Sequence, residues 1–300
     1  MDIVQLNRDF GITDQLKFIE GESGLPLIVI SNQSASALIS LHGGQILSFK
    51  LIGESEDLLF LSSKSLYADG KAIRGGIPVC WPWFGPDPKG LQRPNHGFVR
   101  SHSWTVLNTA TTDTETKVSL QFLESYKKEK TWKQPFTLTL EITAGKSLSL
   151  KLITRNTGDK AFSITQAFHS YFNVGDIDKV EVQGLAGYEY FDKLDQGTQK
   201  RQVDAVIVEE EVDRIYTDVK NDVTINDLSL NRRIQIASPG NETIVVWNPW
   251  LNGSKKITDL KEQDYKQFIC VETGNIAFDL IQISPGEEYC LETNFKILRD

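Results

Sequence analysis

The 300-residue chain lacks most of the devices by which a sequence announces its chemistry. No run approaches the roughly 18 apolar residues needed to cross a bilayer. The opening stretch MDIVQLNRDFGITDQLKF has no basic segment followed by an apolar one, so the expectation is a soluble cytoplasmic protein with no membrane partner. Cysteine is scarce: Cys80, Cys270 and Cys290 stand far apart without a CxxC pair, which argues against a disulfide framework or a zinc knuckle and fits a reducing compartment. Positive charge is in deficit as well. With 32 basic and 40 acidic residues the net charge is −8 and the pI about 5.2, so nucleic acid is not an expected partner. Four histidines form no HxH, HxxxH or HExxH spacing, and neither metal nor cofactor is expected. The phosphate-cradling GxxxxGK[ST] pattern and the GxSxG nucleophile elbow are missing too. No Pro- or Ser-rich linker, internal repeat or low-complexity tract interrupts the chain, so residues 1–300 read as one domain, expected to be monomeric.

What is there is period-two alternation. Phe136, Leu138, Leu140 and Ile142 interleave with Thr137, Thr139 and Glu141, and Leu148, Leu150 and Leu152 follow an Ala-Gly-Lys turn, the pattern of a β-hairpin. Similar runs span 26–31, 36–41, 45–52, 117–123, 203–208, 228–236, 243–247, 276–283 and 288–298. Helical periodicity is confined to 257–268, where Thr258 caps and Asp259 and Glu262 favour the N-terminus. Many strands and few helices predict an all-β fold, a large antiparallel β-sandwich.

One stretch breaks that rhythm. Residues 74–100, RGGIPVCWPWFGPDPKGLQRPNHGFVR, hold three arginines, one histidine, two tryptophans and five prolines in 27 positions. Such density suits a shaped loop better than a regular element. Arg74, Arg93 and Arg100 offer planar forks that match phosphate or carboxylate oxygens. Trp81, Trp83 and Phe84 supply aromatic faces that cover a sugar ring or fill a core. His96 lies between Pro94 and Gly97, with its imidazole expected to be exposed, and Gln92 stands nearby.

Two further residues carry chemistry. His169 lies in AFHSYF, where alternation places Ala167, His169 and Tyr171 on one face and Phe168, Ser170 and Phe172 on the other. Taken alone it reads equally as an interior histidine. Glu272 ends the apolar run FICVETGN on the side of Phe268 and Cys270, before an expected Gly-Asn turn. A carboxylate in that position serves the turn, or has its pKa raised into the range of a general base. His42 and His102 are assigned to structure.

The blocks RGGIPVCWPWFGP, PNHGFVR followed by Trp104, AFHSYFNVGD, VDRIY, WNPW and VETGN occur in an order that resembles the aldose 1-epimerase superfamily, and within it the hexose-6-phosphate mutarotases. The resemblance implies a galactose mutarotase-like β-sandwich that interconverts the α and β anomers of a hexose 6-phosphate by acid/base ring opening and reclosure. By position it implies His169 as general acid, Glu272 as general base, His96 as a second active-site histidine, and Asp213 as a ligand of sugar hydroxyls. Arg74 and Arg100 would hold the 6-phosphate, and the resemblance gives Arg93 and His102 no role; Gln92, for its nearness to the loop, and Trp81, for its aromatic face, are expected as further substrate contacts. Two other readings stay open: a mutarotase of unphosphorylated aldoses, and a non-catalytic carbohydrate- or phosphosugar-binding protein.

Overall fold

The computed structural model describes residues 2–122 and 132–299. Its frame is two large sheets. A nine-stranded sheet runs in the order Val206–Ile207, Val180–Gln183, Val223–Asp227, Arg232–Ala237, Glu288–Leu298, Leu148–Asn156, Phe136–Ala144, Thr116–Phe122 and Thr105–Thr111. An eight-stranded sheet runs from Thr198–Arg201 through Glu189–Asp192, Val212–Tyr216, Thr243–Asn248, Phe268–Asn275 and Gln166–Phe168 to Val79–Cys80, and Tyr171–Asn173 also pairs with Phe268–Asn275. A four-stranded sheet (Leu16–Glu20, Pro26–Ser31, Ala35–Ser40, Gln45–Leu51) and a small pair, Phe162–Ile164 with Ile281–Ile283, complete the fold.

Alternation explains how the layers meet. In the hairpin Phe136–Ala144 and Leu148–Asn156, Leu138, Leu140, Ile142, Leu150 and Leu152 are fully buried while the intervening positions are half-exposed. These side chains join Val246, Val271, Phe168 and Phe172 of the eight-stranded sheet in one apolar cluster that draws on residues from Leu16 to Phe295. Burial of apolar surface between two antiparallel sheets is therefore the main cohesive term.

Several boundaries differ from the pattern. The run 203–208 contributes only Val206–Ile207, 228–236 enters a strand at Arg232, and 276–283 pairs only over Ile281–Ile283 after a turn at Ala277. Residue 123, the last of the expected strand 117–123, lies outside the described residues. The expected helix at 257–268 is a series of turns ending in a 3-10 segment, Asp264–Gln267. Side chains have taken over the backbone groups that a helix would pair: Asp264 Oδ2 accepts from the Lys261 N–H at 2.9 Å, and the Asp259 carbonyl accepts from the Ser62 hydroxyl at 2.8 Å. A helix the pattern did not reveal spans Ile3–Phe10, capped by Asp2, whose carboxylate accepts from the Val4 N–H.

Candidate active site

The eight-stranded sheet has two unlike faces. Alternation along Phe268–Asn275 sends Ile269 and Val271 into the main core and Phe268, Cys270 and Glu272 the other way. Directly paired residues share a face. The pairs Val245 with Glu272, Trp247 with Cys270, and Asp213 with Trp247 therefore assemble a second surface from three strands.

His169 reaches that surface from a break in the sheet. Phe168 pairs with Thr273 and Tyr171 with Cys270, and between them His169 and Ser170 leave the ladder, the His169 N–H donating to the Pro78 carbonyl at 3.0 Å. The continuous strand expected over AFHSYF is thus two short ones, although Phe168 and Phe172 enter the main core and Ala167 and Tyr171 the opposite face, as alternation requires. The imidazole stacks flat on Tyr171, with centroids 4.9 Å apart, and meets Trp247 edge-on at 5.9 Å. Its Nδ1 stands 3.4 Å from Glu272 Oε1.

Glu272 is not the strand-end residue its sequence context suggests. The strand continues through Gly274 and Asn275, and Glu272 is 1% exposed. Gly274 serves close strand approach instead of a turn: a Cβ there would lie 2.3 Å from the Gln166 carbonyl oxygen. Burial drives the Glu272 pKa well above its usual value, the Asp213 carboxylate adds to the rise, and Lys193 and Arg100 oppose it. Burial likewise pushes the His169 pKa well down, with His96, Arg100 and Arg74 contributing. Glu272 Oε2 and His169 Nδ1 are buried without a hydrogen-bond partner among the described residues, the condition of groups that await a guest.

His96 arrives from the arginine-rich loop. Its ring lies 5.5 Å from that of His169 and edge-on to Phe84 at 4.6 Å; its backbone N–H donates to the Gly85 carbonyl at 2.7 Å, and its Nδ1 accepts from the Gly85 N–H at 3.3 Å. It is half-buried, in contrast to the exposed imidazole expected. Burial first, then Arg100, Lys193 and Arg74, hold its pKa at about 3, so it works as a neutral donor or acceptor. Gly97 makes this turn possible: at φ 74°, a Cβ would sit 1.8 Å from the Trp81 carbonyl oxygen. Gly97→Ala should therefore destabilise the protein by about 4 kcal/mol or more, read as a lower urea midpoint, and lower activity through displacement of His96.

Arg74 and Arg100 line one recess of about 200 Å³ together with Lys71, Pro78, Tyr171 and Asp259. The Arg74 guanidinium is aimed by two partners, donating to Asp259 Oδ1 at 3.1 Å and to the Tyr171 hydroxyl at 2.9 Å. Arg100 donates to the Asn95 carbonyl at 3.0 Å. Because Tyr171 also stacks on His169, the cationic recess adjoins the His169–Glu272 pair. Across the surface, Asp213 pairs with Lys193 at 2.8 Å; burial raises its pKa and the ammonium counteracts that.

Other expected contacts lie elsewhere. Trp81 is fully buried in the main core, donating from its indole to Thr154 and packing on Phe98, Trp132 and Phe136, so it supports the loop from behind and offers no face to a ligand. Gln92 is exposed at a left-handed turn, with no hydrogen bond to His96 or Arg100 among the described residues. Arg93 turns onto Asp87 at 2.5 Å and over the Trp83 ring at 4.0 Å, closing the loop on itself. The buried His42 meets the Lys71 carbonyl at 2.6 Å, and His102 the Phe98 carbonyl at 2.7 Å. Tyr171, Lys193, Trp247 and Asp259 also stand around these groups; Tyr171 and Trp247 lie in the blocks AFHSYF and WNPW, but none was expected as a contact, since each meets a neighbour from a different segment.

Residues 26–296 match the family described as Aldose 1-epimerase. A protein of Escherichia coli (strain K12), provisionally named glucose-6-phosphate 1-epimerase, is 37% identical over 252 residues, covering 83% of this chain and 83% of its own. One from Cenchrus ciliaris with the same provisional name is 34% identical over 284 residues, covering 91% and 85%. A crystal structure from Salmonella typhimurium, provisionally a mutarotase, superposes with a TM-score of 0.90 at 31% identity over 97% of this chain and 96% of its own.

Proposed function

Since the chain belongs to the aldose 1-epimerase family, we propose that it interconverts the α and β anomers of glucose 6-phosphate or a closely related hexose 6-phosphate. The observation that carries this reading is the adjacency of two parts: the His169–Glu272 pair at 3.4 Å, and the recess in which Arg74 and Arg100 converge. The names of the relatives point to the same substrate class.

Ring opening needs a base at the C1 hydroxyl and an acid at the ring oxygen. Glu272 takes the first proton and His169 delivers the second; rotation about C1–C2 presents the other face, and the steps run backward. The pair must carry one proton in total. Burial raises the Glu272 pKa and lowers that of His169, which favours the neutral pair of carboxylic acid and imidazole, and that pair has the same proton count as carboxylate plus imidazolium. Proton movement within the pair therefore converts one form into the other without exchange with solvent. Asp213 and His96 hold sugar hydroxyls, while the arginines fix the phosphate and use remote binding to orient the reacting carbon.

The test follows anomer equilibration of freshly dissolved α-glucose 6-phosphate and α-glucose by polarimetry. We expect kcat/KM for the phosphorylated sugar to exceed that for glucose by about 10-fold or more, given the usual strength of charged hydrogen bonds. Equal values would favour a mutarotase of free aldoses, and binding without acceleration a non-catalytic protein.

A further inference from the structure

We propose that His169, Cys270 and Glu272 form a site for a zinc-class divalent cation, and that its occupation switches the enzyme off. Cys270 takes no part in anomerisation, yet its thiol shares the sheet face of Glu272 two residues along the same strand, in a cluster with Phe60, Tyr171, Leu260 and Phe268. One ligand atom from each of the three residues lies within 4.8 Å of the other two, and all three residues are buried. Metal–ligand bonds of 2.0–2.3 Å in a tetrahedral site place ligand atoms about 3.3–3.8 Å apart. The His169 Nδ1 to Glu272 Oε1 edge, 3.4 Å, already meets that requirement; the thiol edges close with a side-chain shift of roughly 1 Å.

A second observation points to a ligand. Glu272 Oε2 and His169 Nδ1 lack hydrogen-bond partners among the described residues, and such buried lone pairs are what a cation would satisfy. The donor set is one imidazole, one thiolate and one carboxylate, which suits Zn²⁺ or Co²⁺ and disfavours Mg²⁺ or Ca²⁺. On binding, the Cys270 thiol and the Glu272 carboxyl each release a proton to solvent and bond the metal through sulfur and oxygen. Two anionic ligands then offset the dication, so Arg74, Arg100 and Lys193 face no added net charge. The fourth position stays open to water, as in sites with three protein ligands.

Metal binding stands on geometry alone, whereas the switching effect rests on the acid/base reading above. The full chain carrying Cys290→Ser, which removes the exposed thiol, is stripped with EDTA and titrated with ZnCl₂ by calorimetry and with CoCl₂ by absorption. One Zn²⁺ per chain is expected, together with a thiolate-to-cobalt charge-transfer band in the near ultraviolet. Adding Cys270→Ala should abolish the band and weaken Zn²⁺ binding by about 100-fold or more, since even indirect supporting groups cost 10- to 100-fold. Zn²⁺ should suppress anomerisation of glucose 6-phosphate over the same concentrations, reversibly with EDTA. The Cys270→Ala protein, compared with its own EDTA-treated rate, should resist. A cobalt complex without the thiolate band, Zn²⁺ affinity unchanged by Cys270→Ala, or no binding would overturn the site. A thiolate band in a protein with no anomerase activity after EDTA would leave the site standing and remove the enzymatic reading.

Discussion

His169→Asn and Glu272→Gln should each lower kcat for anomerisation of glucose 6-phosphate by about 10²- to 10⁴-fold, the usual worth of one positioned proton transfer. Glu272→Gln keeps the shape of the side chain and His169→Asn keeps a hydrogen-bonding group close to the Nδ1 position, so KM should change far less than kcat. Because the two groups handle one shared proton, the double variant should fall by much less than the product of the single losses. Stopped-flow polarimetry with both sugars measures all of these. Full activity in either single variant would remove that residue from the mechanism. Stability carries an independent signature. The folded-state pKa of Glu272 is raised above its ordinary 4.5, so its contribution is fully present below that value and is lost as pH rises through the folded pKa. Gln does not titrate. Calorimetric scans should therefore show Glu272→Gln gaining a few degrees of Tm on the parent between mildly acid and alkaline pH, roughly the shift that 1 kcal/mol produces. His169 has the opposite sign: its folded pKa is depressed below 6.5, its contribution is present above that value, and it is lost as pH falls. His169→Asn should gain on the parent toward acid pH. Inactivation accompanied by a pH-independent loss of Tm would mark either residue as merely structural.

The architecture was legible where one sheet face is apolar and the other polar. Phe136 to Ile142 and Leu148 to Leu152 announce their hairpin because alternate side chains have opposite fates. Strands with both faces largely wet, such as Thr198–Arg201, or only three residues long, such as Tyr171–Asn173, leave too little pattern to see. Alternation also divided AFHSYF between its two faces correctly, but could not reveal that His169 steps out of the ladder, since that depends on the Pro78 carbonyl from another segment. The hundred residues between His169 and Glu272 are closed by the register of Phe168 on Thr273 and Tyr171 on Cys270, a non-local fact. Resemblance to a family pointed to both residues without any distance between them. Trp81 shows the converse. Its type suits a sugar platform and a core equally, and only the Thr154 partner and the rings around it decide for the core.

Arg74→Ala should raise KM for glucose 6-phosphate by about 10- to 150-fold, the equivalent of one charged hydrogen-bonding group at 1.5–3 kcal/mol, while kcat/KM for unphosphorylated glucose changes little. The contrast between sugars is the test. Removing the guanidinium also leaves Asp259 and the Tyr171 hydroxyl without their partner, and Tyr171 carries the His169 ring. A purely structural arginine would therefore depress the rate with both sugars alike, and that outcome would end the phosphate assignment. Arg74→Lys should recover only a minor part of the loss. An ammonium on a flexible stem cannot engage Asp259 and Tyr171 together and still present a planar edge to the recess. Arg100 supplies the counterpart from the opposite end of the loop. Its terminal nitrogen is tied to a backbone carbonyl, that of Asn95, and not to a side chain that carries the acid/base pair, so Arg100→Ala should raise KM for the phosphorylated sugar with less effect on kcat. Raising salt from 0.05 to about 0.5 M should weaken phosphate binding in the parent and do so less in Arg74→Ala, since screening acts on the charge that variant has lost. The net charge of −8 sharpens the requirement: a dianionic substrate approaching an acidic protein needs a local cationic mouth, and on the proposed reading Arg74, Arg100 and Lys71, which line one recess, would provide it.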